Sequence, residues 1–69
     1  MSVNYNKLWK MLIDKNLKKK DLQAAANLTS YAMYKLANND NVTTEVLGKI
    51  CKALHCTVDD IIDFIPEED

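Results

Sequence analysis

The sequence predicts an all-α domain, a compact bundle of five short helices. Three observations predict it. Apolar residues recur every three or four positions in successive segments, which is the spacing of one helix face. The 69 residues hold only one Gly and one Pro, so few positions resist helix. Residues that start or stop helices, mainly Asn, Thr and Asp, fall between those segments. At this length the chain is expected to form one domain, 1–69, with a folded core of about 4–65. So small a core needs almost every apolar side chain available.

The first helix is expected from about 5 to 15. Tyr5, Leu8, Trp9, Leu12 and Ile13 form one stripe, Asn4 is a good N-cap, and Asn16 sits where a left-handed residue ends a helix. A second helix is expected from about 19 to 26, in the helix-forming run "KKKDLQAAA", with Leu22, Ala25 and Ala26 on a narrow apolar face. Asn27, which tolerates positive φ, ends it. The third helix follows Thr29 as N-cap. Leu28, Met33, Leu36 and Ala37 are expected to point inward, and Ser30, Tyr31, Tyr34, Lys35 and Asn38 outward. "NNDN" at 38–41 reads as a loop. The fourth helix takes Thr43 as N-cap, Glu45 in its first turn, and Val46, Leu47, Ile50, Cys51 and Leu54 as its stripe. "TVDD" at 57–60 fits a capping box and predicts a short fifth helix, with Val58, Ile61, Ile62 and Ile65 closing the core. Pro66 and the following "EED" read as a frayed tail.

The net charge of −1 hides an asymmetry. Residues 1–35 carry seven lysines against Asp14 and Asp21, whereas 36–69 carry Lys49 and Lys52 against eight acids. A basic half of this kind suits a polyanion, and an uneven solvated surface is the plainer alternative. All nine basic residues are lysine, so the bidentate arginine fork onto guanine is unavailable. The apolar runs are too short to span a membrane, and "MSVNYNK" lacks the apolar centre of a signal peptide, so a cytoplasmic protein is expected. There Cys51 and Cys56 are expected as free thiols. "CKALHC" supplies Cys51, His55 and Cys56, short of the four ligands of a structural zinc site, so no metal or cofactor is expected. With one His and no glycine-rich phosphate loop, an enzyme is not expected, and capping explains Asp59 and Asp60.

Two short helices joined by three or four residues, the second with a polar outer face, are a helix-turn-helix arrangement. The stretch "LKKKDLQAAANLTSYAMYKLANNDNVTTEVLGKICKALHCTVDDI" carries it, most tellingly in "KDLQAAANLTSYAMYKL" and "VTTEVLGKICKALHCTVDDI". On these motifs the chain, over about 5–65, resembles the phage-repressor and Cro family, also called the xenobiotic-response-element regulators. Its opening "YNKLWKMLID" is similar to the small single-domain members. The resemblance implies a lambda-repressor-like fold whose third helix enters the major groove of double-stranded DNA.

On that basis Ser30 would hydrogen-bond a base edge, Tyr31 would reach a base edge or a phosphate, and Ala32 would meet a thymine methyl. Tyr34 and Lys35, one turn on, would reach bases or flanking phosphate. Lys18, Lys19 and Lys20 would anchor phosphate at the start of the second helix. Lys19 stands where many relatives have glutamine. Asn38 and Asn39 match the loop where relatives touch the backbone, and Asn27 replaces the family's usual turn glycine. Each residue also has a plainer reading. Thr29 joins the contact set or is a cap alone, as Ser30 is. Tyr31 and Tyr34 contact DNA, pack on Trp9 or meet a second copy. The three lysines anchor phosphate or are a solvated helix start.

The resulting expectation is a sequence-specific transcriptional regulator, a repressor binding a two-fold operator as a weak or DNA-assisted homodimer. The acidic C-terminal helix and tail, or Trp9, are candidate dimer contacts, and no segment suggests a small-molecule effector. The competing reading is a protein-interaction module, such as an antitoxin or accessory factor, whose acidic half docks a basic partner.

Overall fold

The structure is a computed structural model that describes residues 2–66. In chain order it contains β1 (Ser2–Asn4), α1 (Asn6–Asp14), α2 (Lys19–Ala25), α3 (Ser30–Ala37), α4 (Thr44–Leu54), one 3-10 turn (Val58–Asp60) and β2 (Asp63–Ile65). The "EED" tail lies outside the described residues.

All four helices stop in the same way. Asn16, Asn27, Asn39 and His55 adopt φ of 54–58°, the left-handed conformation that ends a helix. The next residue in each case, Leu17, Leu28, Asp40 or Cys56, then donates its N–H to the carbonyl five residues back, on Leu12, Gln23, Lys35 or Cys51, at 2.8–3.0 Å. This double-backed turn consumes carbonyls that the helix would otherwise leave unpaired. Asparagine fills the role at three of the four, because its short polar side chain reduces the steric cost of positive φ.

The helix starts are equally local. The Thr29 and Thr43 hydroxyls accept hydrogen bonds from the N–H groups of Ala32 (3.1 Å) and Val46 (3.2 Å), as N-caps do. The start of α2 has no hydroxyl, and Asp21 supplies the cap by accepting from the Lys18 N–H at 2.8 Å. At α1 the cap position is Tyr5, one residue later than expected, and Asn4 instead accepts from the Asn6 N–H at 2.7 Å.

The fifth helix does not form. Thr57 and Asp60 make the expected capping contacts, the Thr57 N–H donating to the Asp60 carboxylate at 3.0 Å, but only a single turn follows. The chain then extends as β2 and pairs antiparallel with β1, in the register Ser2↔Ile65, Val3↔Phe64 and Asn4↔Asp63. Residues 61–65 are rich in Ile and Phe, which favour strand over helix. With the 2–4 backbone available as a partner, the ladder wins over one more helical turn. Val3 is buried against the core, so the folded region begins before residue 4.

The core joins Tyr5, Leu8 and Leu12 of the first segment to Leu22, Ala26, Leu28, Ala32, Leu36, Ile50, Leu54, Ile61 and Ile62. Five expected core residues lie outside it: Ile13, Ala25, Ala37, Val58 and Ile65 are exposed, Ile13 by 73%. Ala32 takes the place expected of Ala37. The chain also pins its own frame across long separations. The buried Tyr5 donates its hydroxyl to the Asp40 carbonyl at 2.5 Å, and its N–H to the Asn39 side-chain carbonyl at 3.2 Å. Lys7 pairs with Asp63 at 3.2 Å and donates to the Asp59 carbonyl, which fastens α1 to the C-terminal segment. Among the described residues no helix is long and apolar enough to cross a membrane.

Candidate nucleic-acid interface

The unit α2–turn–α3 has its two helices separated by residues 26–29. Asn27 at φ 54° makes the bend, and the Leu28 N–H closes it onto Gln23 at 2.9 Å. Leu22, Ala26, Leu28, Ala32 and Leu36 bury the inner face of this unit. Burial of that face fixes which residues of α3 must face outward.

Tyr31 is 67% and Tyr34 64% exposed, although both are large aromatics that a small core would otherwise recruit. Ser30 is also exposed. The Lys35 ammonium sits 5.0 Å above the centre of the Tyr31 ring, a cation–π contact that orders both side chains one turn apart. Thr29, Tyr31, Ala32 and Lys35 form one wall of a groove of about 350 Å³, and Asn41, Val42, Thr43 and Val46 form the other. The second wall includes the start of α4, where the helix dipole is positive. Glu45 in that first turn partly offsets it.

The expected contact residues divide into three groups. Ser30, Tyr31, Tyr34 and Lys35 are presented by α3, and Tyr31 and Lys35 are brought together. Thr29 lies in the same groove, with its hydroxyl committed to capping Ala32. The second group has structural duties. Ala32 is 7% exposed, so most of its methyl packs against the core and only a small part opens on the groove. The reason is helical phase: burying Leu28 and Leu36 places residue 32 between them on the same face. Asn38 donates its side-chain amide to the Tyr34 carbonyl at 2.8 Å, and Asn39 uses its side-chain oxygen on the Tyr5 N–H. Both remain exposed.

The third group is Lys18, Lys19 and Lys20, all exposed at the entry to α2. Lys19 is not a free side chain: its ammonium lies 4.6 Å above the Trp9 ring, which also gives the half-buried Trp9 its cover. Asn41, Val42 and Val46 are groove residues that no sequence pattern singles out, and Thr43 reads in the sequence only as a cap. Their sole sequence signal was the loop "NNDN" leading into a capped helix.

Comparison with known proteins gives a consistent picture. A family model for the Cro/C1-type HTH DNA-binding domain matches residues 7–67. A solved structure of the transcriptional regulator VanUg superposes with a TM-score of 0.92, over 96% of this chain and 88% of that one, at 45% sequence identity. No curated protein matches at a significant level.

Proposed function

The chain belongs to the Cro/C1-type helix-turn-helix DNA-binding family, and from that premise we propose that it is a sequence-specific transcriptional repressor that reads DNA through α3. The observation that carries the proposal is the exposure of Tyr31 and Tyr34 beside Lys35, on a helix whose opposite face is buried. Its VanUg neighbour, a transcriptional regulator, supports the same reading. Ser30, Tyr31, Tyr34 and Lys35 read bases or flanking phosphate. Lys18, Lys19 and Lys20 anchor phosphate, with the Trp9 ring holding Lys19 in place. Thr29, Asn38 and Asn39 shape the backbone that presents this set, and their exposed polar atoms border it.

One domain of this size covers little DNA, so two copies bind half-sites about one helical turn apart. The pairing is weak or DNA-assisted. Phe64 and Ile65, 62% and 48% exposed on β2, are its apolar contact, in place of the absent fifth helix. The same pair of residues, set among Asp59, Asp60 and Asp63, favours a second reading, a module that docks a basic protein.

Selection of bound sequences from a random duplex pool tests the proposal. The wild type should enrich a two-fold motif. The Tyr31→Ala, Lys35→Glu double variant should lose it, at about 1–3 kcal/mol for each base contact removed. Binding should weaken steeply with salt. Enrichment by the variant equal to the wild type's would refute α3 as the reading element. A folded wild type that enriches nothing and passes through heparin at low salt would leave the protein-docking reading in its place.

A further inference from the structure

The turn that ends α4 differs from the other three in what it brings together. In each turn the residue after the left-handed position folds its backbone back onto the residue five before it. At α1 the two residues are Leu17 and Leu12, both apolar. At α4 they are Cys56 and Cys51. The His55 φ of 55° and the Cys56 N–H bond to the Cys51 carbonyl at 3.0 Å hold the two backbones together. Both thiols are free and half-buried at the edge of the core, so neither is sealed from small reagents. The pair sits at the opposite end of α4 from the groove beside α3.

The geometry points to Cys51 and Cys56 as a reversible dithiol–disulfide pair, a modification site whose reagent is a low-molecular-weight disulfide such as oxidised glutathione. The Cys51 thiolate attacks one sulfur of that disulfide, forming a mixed disulfide and expelling one glutathione thiolate. The Cys56 thiolate then attacks the Cys51 sulfur of the mixed disulfide and expels the second glutathione thiolate. The two protein thiols lose two protons and two electrons in all, and the reagent gains the electrons as two molecules of reduced glutathione. Burial, the neighbouring Cys51 and the Asp60 carboxylate raise the Cys56 thiol above the usual range, against an opposing effect of Lys15. Exchange that begins at either thiol gives the same product, so the order of the first attack is immaterial. The second is a short-range step that the turn has already arranged.

The test is to equilibrate the full chain with mixtures of reduced and oxidised glutathione, in buffer and in urea, and to trap free thiols by alkylation before intact-mass analysis. The expected product is a monomer that has lost two hydrogens, resists alkylation at both cysteines and is restored by dithiothreitol. Its equilibrium constant should be about tenfold or more larger in the folded chain than in urea, because the fold prearranges the pair. By linkage that factor corresponds to about 1.4 kcal/mol, so the oxidised protein should melt higher than the reduced one. Stable glutathione adducts on the folded chain, cross-linked dimers, or an equilibrium constant no larger than in urea would overturn the inference. Cys51→Ser and Cys56→Ser should each stop at one glutathione adduct. Loss of two hydrogens in either variant would place the bond elsewhere and overturn it too. None of these readouts depends on DNA, so failure here and failure of the repressor reading are separate results.

Discussion

Tyr5→Phe removes one oxygen from the middle of the frame. The ring is 1% exposed, and Phe keeps all of its apolar packing. What is lost is the hydroxyl's bond to the Asp40 carbonyl, in the chain between α3 and α4. A lost internal hydrogen bond that leaves a carbonyl short of a partner costs about 1–2 kcal/mol. A domain of this size has a total stability of about 3–10 kcal/mol, so that is a substantial share. At about 4–8 °C per kcal/mol, the variant should melt about 5–15 °C lower by far-UV circular dichroism. The pH dependence supplies a second test. Burial raises the Tyr5 hydroxyl above the ordinary tyrosine value, the Val42 backbone N–H near its oxygen opposes this, and the Asp40 carboxylate adds to the rise. The folded state thus holds this proton more tightly than the unfolded state. Its contribution is complete below about pH 10, the unfolded value, and is lost as pH rises from there through the folded value. The gap between wild type and Tyr5→Phe should narrow in that alkaline range. An unchanged melting temperature, or a gap constant through that range, would refute the assigned role of the hydroxyl.

Other substitutions test other parts of the fold. Gly48 lies inside α4 at ordinary helical φ with nothing within 4 Å of an added Cβ, so Gly48→Ala should stabilise by about 0.5–1 kcal/mol in urea unfolding. Asn27→Ala forces a Cβ without a polar side chain into positive φ and should destabilise by about 1 kcal/mol, whereas Asn27→Gly should be tolerated; equal loss in both would mean the side chain and not the φ is needed. Hydrogen bonds from Thr57 lower the Asp60 carboxyl below the usual range, so its stabilisation is present above the unfolded carboxylate value and is lost as pH falls through the folded one. Asp60→Asn should therefore be less stable than wild type near neutrality, with the difference shrinking in acid thermal melts.

The elements that depend on neighbours in sequence are legible in the sequence itself. The caps at Thr29 and Thr43 and the left-handed Asn16 and Asn27 follow from side-chain chemistry acting over three to five residues. The elements set by distant partners are not. The Thr57 capping box is real, but it could not reveal that Ser2, Val3 and Asn4 would offer a strand edge to residues 63–65. In α3, eight residues with two alanines leave the helical phase ambiguous. Only the packing of Leu28 and Leu36 selects Ala32 for burial. The four outward residues of α3 could be named because polar and aromatic side chains on a short helix have few alternatives. The facing wall from Asn41 to Val46 comes from the placement of α4, which no local pattern encodes.

The pairing of β1 with β2 also sets an order of events. Its partners stand at almost opposite ends of the described chain, so no short-range encounter can form it, and the entropy of closing so long a loop opposes it until other contacts have drawn the segments together. The helices, by contrast, close within a few residues of themselves. The ribbon is thus a late acquisition on the folding route and an early loss in partial opening. Its three residue pairs can separate while Leu22, Leu36 and Ile50 stay packed. Such an opening would detach Phe64 and Ile65 from their backbone support without disturbing α3. If two copies pair through that ribbon, as proposed, the pairing would weaken at temperatures where α3 is still held in place.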